Sequence, residues 1–86
     1  MTGEDALKEI QKKITDATAA GKKPVKVLIP SEYKNALITI KSDVIGSDIK
    51  EKIATMGVKA AFPKILDVET VWDAEKLELK YEDDSD

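Results

Sequence analysis

Apolar residues recur at helical spacing near the start of the chain. Leu7, Ile10, Ile14 and Ala17 form one stripe, which predicts an amphipathic helix from about Gly3 to Ala20. Thr2 suits the N-cap, with Asp5 three residues on where a capping box carries Glu or Gln. Glu9 precedes Lys13 by four residues, the favourable order for a pair worth about 0.3 kcal/mol. Gly21 supplies the stop, Lys22 and Lys23 suit the negative helix end, and Pro24 prevents continuation.

The pattern then changes. Val25–Ile29 is nearly all apolar, with Val25, Val27 and Ile29 β-branched and prolines at 24 and 30 on either side. That composition predicts a short, well-buried strand, and the rest of the chain is organised around it. Pro30-Ser31-Glu32 is a helix-start signal, with Ser31 as cap and Glu32 at the positive end. A helix from Ser31 to about Lys41 would bury Tyr33, Leu37 and Ile40. Leu37-Ile38-Thr39-Ile40 fits a strand as well, so 36–45 is open between the two; the cap favours helix.

Gly46-Ser47-Asp48 breaks and restarts the chain, and Ser47 can cap a helix carrying Ile49, Ile53 and Met56, ended by Gly57. Val58–Phe62 reads as a second strand closed by Pro63. Thr70-Val71-Trp72 and Leu77–Tyr81 read as an antiparallel hairpin around the polar turn Asp73–Lys76. In Leu77-Glu78-Leu79-Lys80-Tyr81 the alternation is strict, which describes a sheet with one face buried and the other wet. The expected fold is therefore α/β, with α+β as the alternative. It is one small domain over residues 1–81 in the order α-β-α-α-β-β-β, with a mixed three- to four-stranded sheet and two or three helices on one face. The parallel connection from Val25 to Phe62 is expected to be right-handed.

With 86 residues the chain has room for one core. Apolar residues make up 42% and charged residues 36%, enough for a core and a polar surface. No apolar run approaches the ~20 residues of a membrane span. The start, Met-Thr-Gly-Glu-Asp, is polar and acidic, unlike a secretory leader, so the expected location is the cytoplasm, or the host cytoplasm for a viral protein.

What is missing narrows the chemistry. There is no cysteine and no histidine, and all 14 basic residues are lysines. Thiolate nucleophiles, cysteine-bound zinc, imidazole acid/base groups and bidentate arginine grips are all excluded. The acids lie on helix faces, in turns or at the C-terminus, with no apolar pocket to split the pKa values of a pair. Four glycines, none clustered, form no phosphate cradle. No catalytic, cofactor or metal site is expected, and the protein reads as a non-enzyme.

Charge is uneven. Residues 1–64 hold 12 lysines and 8 acids, whereas 65–86 hold 2 lysines and 9 acids. The last residues, 82–86, read as an acidic disordered tail in which Glu82, Asp83, Asp84 and Asp86 could compete for a basic surface on a partner. Lys22, Lys23 and Lys26, with Lys12 and Lys13, could form a basic patch. Direct nucleic-acid binding is nevertheless not expected, because arginines, stacking platforms and positive net charge are lacking.

Tyr33, Phe62, Trp72 and Tyr81 are the aromatic residues. Large side chains fill the interior of so small a domain, and aromatics also anchor interfaces. Trp72, Tyr81 and Phe62 are the candidate interface residues, the first and second as neighbours across the hairpin.

Pro30-Ser31-Glu32-Tyr33 at a strand-to-helix junction, Gly57-Val58-Lys59-Ala60-Ala61 before a returning strand, and the extended Thr70-Val71-Trp72-Asp73 occur in that order. Over Val25–Tyr81 this ordering resembles the sheet-and-helix domain of tailed-phage capsid-type proteins. The chain departs from that family in being far too short for its long spine helix and extended arm. The resemblance implies a small accessory protein or stand-alone relative, encoded by a virus, and assigns no functional residue. The expected function is interaction or assembly with a protein partner or with itself as a homo-oligomer. The alternative is an acidic regulator that blocks a nucleic-acid-binding protein.

Overall fold

A computed structural model describes residues 1–82. The N-terminal stripe folds as α1 (Gly3–Ala19), burying Gly3, Ala6, Ile10, Ile14 and Ala17. Thr2 Oγ1 accepts the Asp5 backbone N–H at 3.1 Å, satisfying one of the donors left open at a helix start. At the other end Gly21 takes φ +83. Its N–H donates to the Thr18 carbonyl and the Lys22 N–H to the Ala17 carbonyl, a Schellman closure. The Glu9–Lys13 pair does not form among the described residues. Glu4–Lys8 and Lys12–Asp16 pair instead, at 3.1 and 2.9 Å, while Glu9 accepts a hydrogen bond from Tyr33.

The remaining elements are β1 (Pro24–Pro30), α2 (Ser31–Ile38), α3 (Ser42–Ile45), α4 (Ser47–Met56), α5 (Val58–Ala61), β2 (Lys64–Ile65), β3 (Val68–Ala74) and β4 (Glu78–Tyr81). The open question at 36–45 resolves as helix through Ile38. The Thr39 hydroxyl folds back onto the Ala36 carbonyl, and Lys50 reaches from α4 to the Ile40 and Ile38 carbonyls at 2.6 and 3.3 Å. A lysine thus satisfies carbonyls at and just beyond a helix end that the chain itself leaves open. The expected caps are displaced by one residue. Pro30 and Gly46 occupy the cap positions with no side-chain bond, and Ser31 and Ser47 are the first helical residues. Of the apolar residues this helix carries, Met56 is 69% exposed, while Ile53 is buried.

Two strand expectations are overturned. Val58–Phe62 is not a strand: Val58–Ala61 is a helical turn entered from Gly57 at φ +96. Lys59, Ala60 and Ala61 are good helix formers and poor strand formers, and the turn still buries both Val58 and Phe62. The C-terminal hairpin does not form either. The sheet order is β2-β3-β1-β4, so β1 lies between the two strands expected to pair. It runs parallel to β3 and antiparallel to β4. Pairing the most apolar strand on both edges places it at the centre. Asp73 at φ +62 and the register shift at Ile29/Pro30 turn the chain off the end of β3, and Pro30 ends β1, so 75–77 can step across. The true hairpin is β2–β3, closed by Leu66 and Asp67, both at positive φ, the two-residue turn whose twist matches a sheet.

The parallel crossover expected to return at residue 58 therefore returns at β3. Val27 and Ile29 of β1 are fully buried, with Ile10 of α1, Leu37 of α2 and Ile40. Gly3 lets the start of α1 press onto the end of α2: a β-carbon there would lie 2.6 Å from the Ala36 carbonyl oxygen and 2.8 Å from Ile40. The helices lie on one face of a mixed four-stranded sheet, which makes the fold a small α/β domain.

Candidate interaction surface

Alternation along β1 sends Val27 and Ile29 into the core and Lys26 and Leu28 to the opposite face. Register extends this to the neighbouring strands, since directly paired residues share a face. One row across the outer face reads Glu69, Lys26, Lys80; the next reads Val71, Leu28, Glu78. Leu28 and Val71 are half-buried, an apolar pair bordered by the charged row on one side and by Glu78 next to Leu28. Lys26 Nζ lies 3.9 Å from Glu69 Oε2, a loose surface pair. Lys80 stands directly opposite Lys26, and no acid pairs with it among the described residues. Glu78 is held loosely, 3.6 Å from the exposed Lys76.

The helical side is closed by polar clasps. Tyr33 donates from its hydroxyl to Glu9 Oε2 at 2.6 Å, tying α2 to α1. That bond to a carboxylate, helped by partial burial and by the negative charges of Glu9 and Glu32, raises the phenol from 10.0 to about 12. Asp73, turned out of the strand by its positive φ, receives Lys34 of α2 at 3.5 Å and Lys59 of α5 at 3.7 Å. The Thr70 hydroxyl donates to the Phe62 carbonyl at 2.7 Å, fastening β3 to the end of α5.

The residues singled out from the sequence fall in separate places. Phe62 is 7% exposed and belongs to the core. Trp72 and Tyr81 are half-buried against that core, but β1 separates them, and they sit at opposite ends of it: Trp72 is paired with Ile29, Tyr81 with Pro24. The hairpin that was to make them neighbours is absent, so the patch they were to border together is absent too. Glu82 follows β4 and donates its N–H to the Lys23 carbonyl. Asp83, Asp84 and Asp86 lie outside the described residues. The five lysines of the basic patch are dispersed: Lys12 pairs with Asp16, Lys22 stands over the Tyr81 ring at 5.2 Å, and Lys26 is on the outer face. Lys22 and Lys23 do line an open hollow of about 540 Å³ with Gly21, Tyr81 and Glu82, where the carboxylate offsets the ammonium groups.

The central outer-face pair, Leu28 and Val71, was missed from sequence. Leu28 sits inside a continuous apolar run, where alternation cannot be seen, and Val71 was assigned to the wrong partner strand. The Glu78/Lys80 alternation does mark the wet face, with Lys80 exposed and Glu78 half-buried. No helix among the described residues is long and apolar enough to cross a membrane. No family model matches the chain, and no curated protein or solved structure matches it.

Proposed function

We propose that the protein is a non-enzymatic interaction or assembly module that works by presenting the outer side of its sheet to another protein. The observation that supports this reading is the sheet face turned away from the core, where the apolar pair Leu28 and Val71 is bordered by Lys26, Lys80, Glu69 and Glu78. Apolar side chains beside polar and charged ones are the ordinary makeup of a protein contact. The side-chain repertoire agrees, because a chain without cysteine, histidine or arginine lacks the groups most used for nucleophilic, acid/base and phosphate chemistry.

The test is light scattering after size exclusion over a wide concentration range, together with retrieval of bound protein from the native host. Association that is lost in the double variant Leu28→Glu, Val71→Glu is the expected result, since both positions lie outside the core. A strict monomer that also retrieves nothing removes the basis of the reading.

A further inference from the structure

We infer that β4 is a self-pairing edge, and that a second copy of this chain docks antiparallel against it through Glu78, Leu79 and Lys80, joining two four-stranded sheets into one. The inference goes beyond the outer-face reading above: it names a separate contact, on the edge of the same sheet, with its partner and register. β4 pairs with β1 on one side and, among the described residues, ends the sheet on the other. An edge strand offers backbone donors and acceptors to an incoming strand, and this one has the length that the other edge lacks, since β2 is only two residues long.

The sequence of the edge selects the occupant. Leu77-Glu78-Leu79-Lys80-Tyr81 is apolar, acid, apolar, base, apolar. Laid antiparallel on itself about Leu79, Glu78 of each copy faces Lys80 of the other, and Leu77 faces Tyr81. Both charge pairs are then attractive and every apolar residue keeps an apolar neighbour, the condition for a symmetric contact. Shifting the register by one residue would send the apolar side chains to the wet face.

Charge within the single chain points the same way. Across β1 and β4 the row is Glu69, Lys26, Lys80, with two lysines directly opposite each other. Like charges so placed repel, and the second copy's Glu78 would extend the row as acid, base, base, acid. On the helical side, a shallow groove of about 290 Å³ runs between α1 and β4, lined by Lys13, Asp16, Ala17, Lys22, Leu79 and Tyr81. It gives the partner strand's inward apolar side chains a place beside Leu79 and Tyr81.

Charge reversal tests the register. Wild-type protein should pass from the mass of one 9.5 kDa chain to that of two as concentration rises from micromolar to millimolar in light scattering. Lys80→Glu and Glu78→Lys each turn both cross-copy pairs repulsive, so each should self-associate roughly 10- to 100-fold more weakly. Mixed one to one, the two variants should form a heterodimer of wild-type strength, because all pairs are again attractive. Circular dichroism should show both variants, altered only on the outer face, with the wild-type spectrum. A wild type that remains a single chain at millimolar concentration overturns the edge. So does a dimer that neither reversal weakens, or a mixture that fails to associate. If association is lost in the Leu28→Glu, Val71→Glu variant but survives both charge reversals, the contact is made through the face. Edge pairing then fails while the surface-acting function stands.

Discussion

The two faces of the central strand differ by one residue of offset and behave as two different materials. On one, Val27 and Ile29 are fully buried beneath α1 and α2. On the other, Lys26 is exposed between Glu69 and Lys80, and Leu28 is half-buried between Val71 and Glu78. Chemically Leu28 and Ile29 are nearly equivalent. Only the pleat, which turns successive side chains to opposite faces, separates a core residue from a surface one. Stability resides in the first face, and the second is the one the proposed contact would use.

The sharpest way to break that contrast is to truncate the two neighbours in turn. Ile29→Ala should lower unfolding free energy by about 2–5 kcal/mol, the usual penalty for removing a buried branched side chain and leaving a cavity. Chemical denaturation with unchanged m-value measures it. Gly3→Ala, on the helical side, should cost about 1–3 kcal/mol, since the new methyl would press on the Ala36 carbonyl and Ile40 and push α1 off α2. A neutral or stabilising Gly3→Ala would show that the helix start yields freely. Leu28→Thr should change stability by less than about 1 kcal/mol, because it exchanges a half-exposed apolar residue for one of similar strand preference. A loss as large as that of Ile29→Ala would mean that the outer face is not bare.

The smallest expected effect sharpens the helical side. Tyr33 in the folded protein titrates near 12 against an ordinary value of 10.0. A raised folded pKa means that the Tyr33–Glu9 bond contributes fully below pH 10 and is lost as pH climbs through 12. Phenolate absorbance should show one tyrosine with its midpoint near 12, and that component should vanish in Tyr33→Phe. The same variant should lose less stability than wild type between those pH values. A Tyr33 midpoint at 10 would mean that the clasp to Glu9 is not made in solution.

The elements legible in the sequence are those set by neighbours within a few residues. The stripe on α1, the Thr2 cap, the Gly21 stop and the proline-bounded strand all belong to this group. Each is a local arrangement of side chain and backbone that the chain carries wherever it goes. Legibility declined as the deciding partner moved away. Glu9 was assigned to Lys13 four residues on, and Tyr33 on another helix took it. Val58–Phe62 is a short apolar run, for which periodicity does not separate strand from helix.

For the candidate surface the same division holds. The wetness of Glu78 and Lys80 was readable from alternation along five residues. That Leu28 and Val71 share their face was not, because it depends on β3 lying beside β1, more than forty positions earlier in the chain. By itself, then, the sequence determined the helix at the start, the central strand, the layered α/β class and a side-chain set without cysteine, histidine or arginine. Tertiary structure alone decided which strands are neighbours and which charges stand in a row. Strand pairing joins residues remote in the chain through backbone groups that every residue carries, so nothing in a strand's own side chains names its partner.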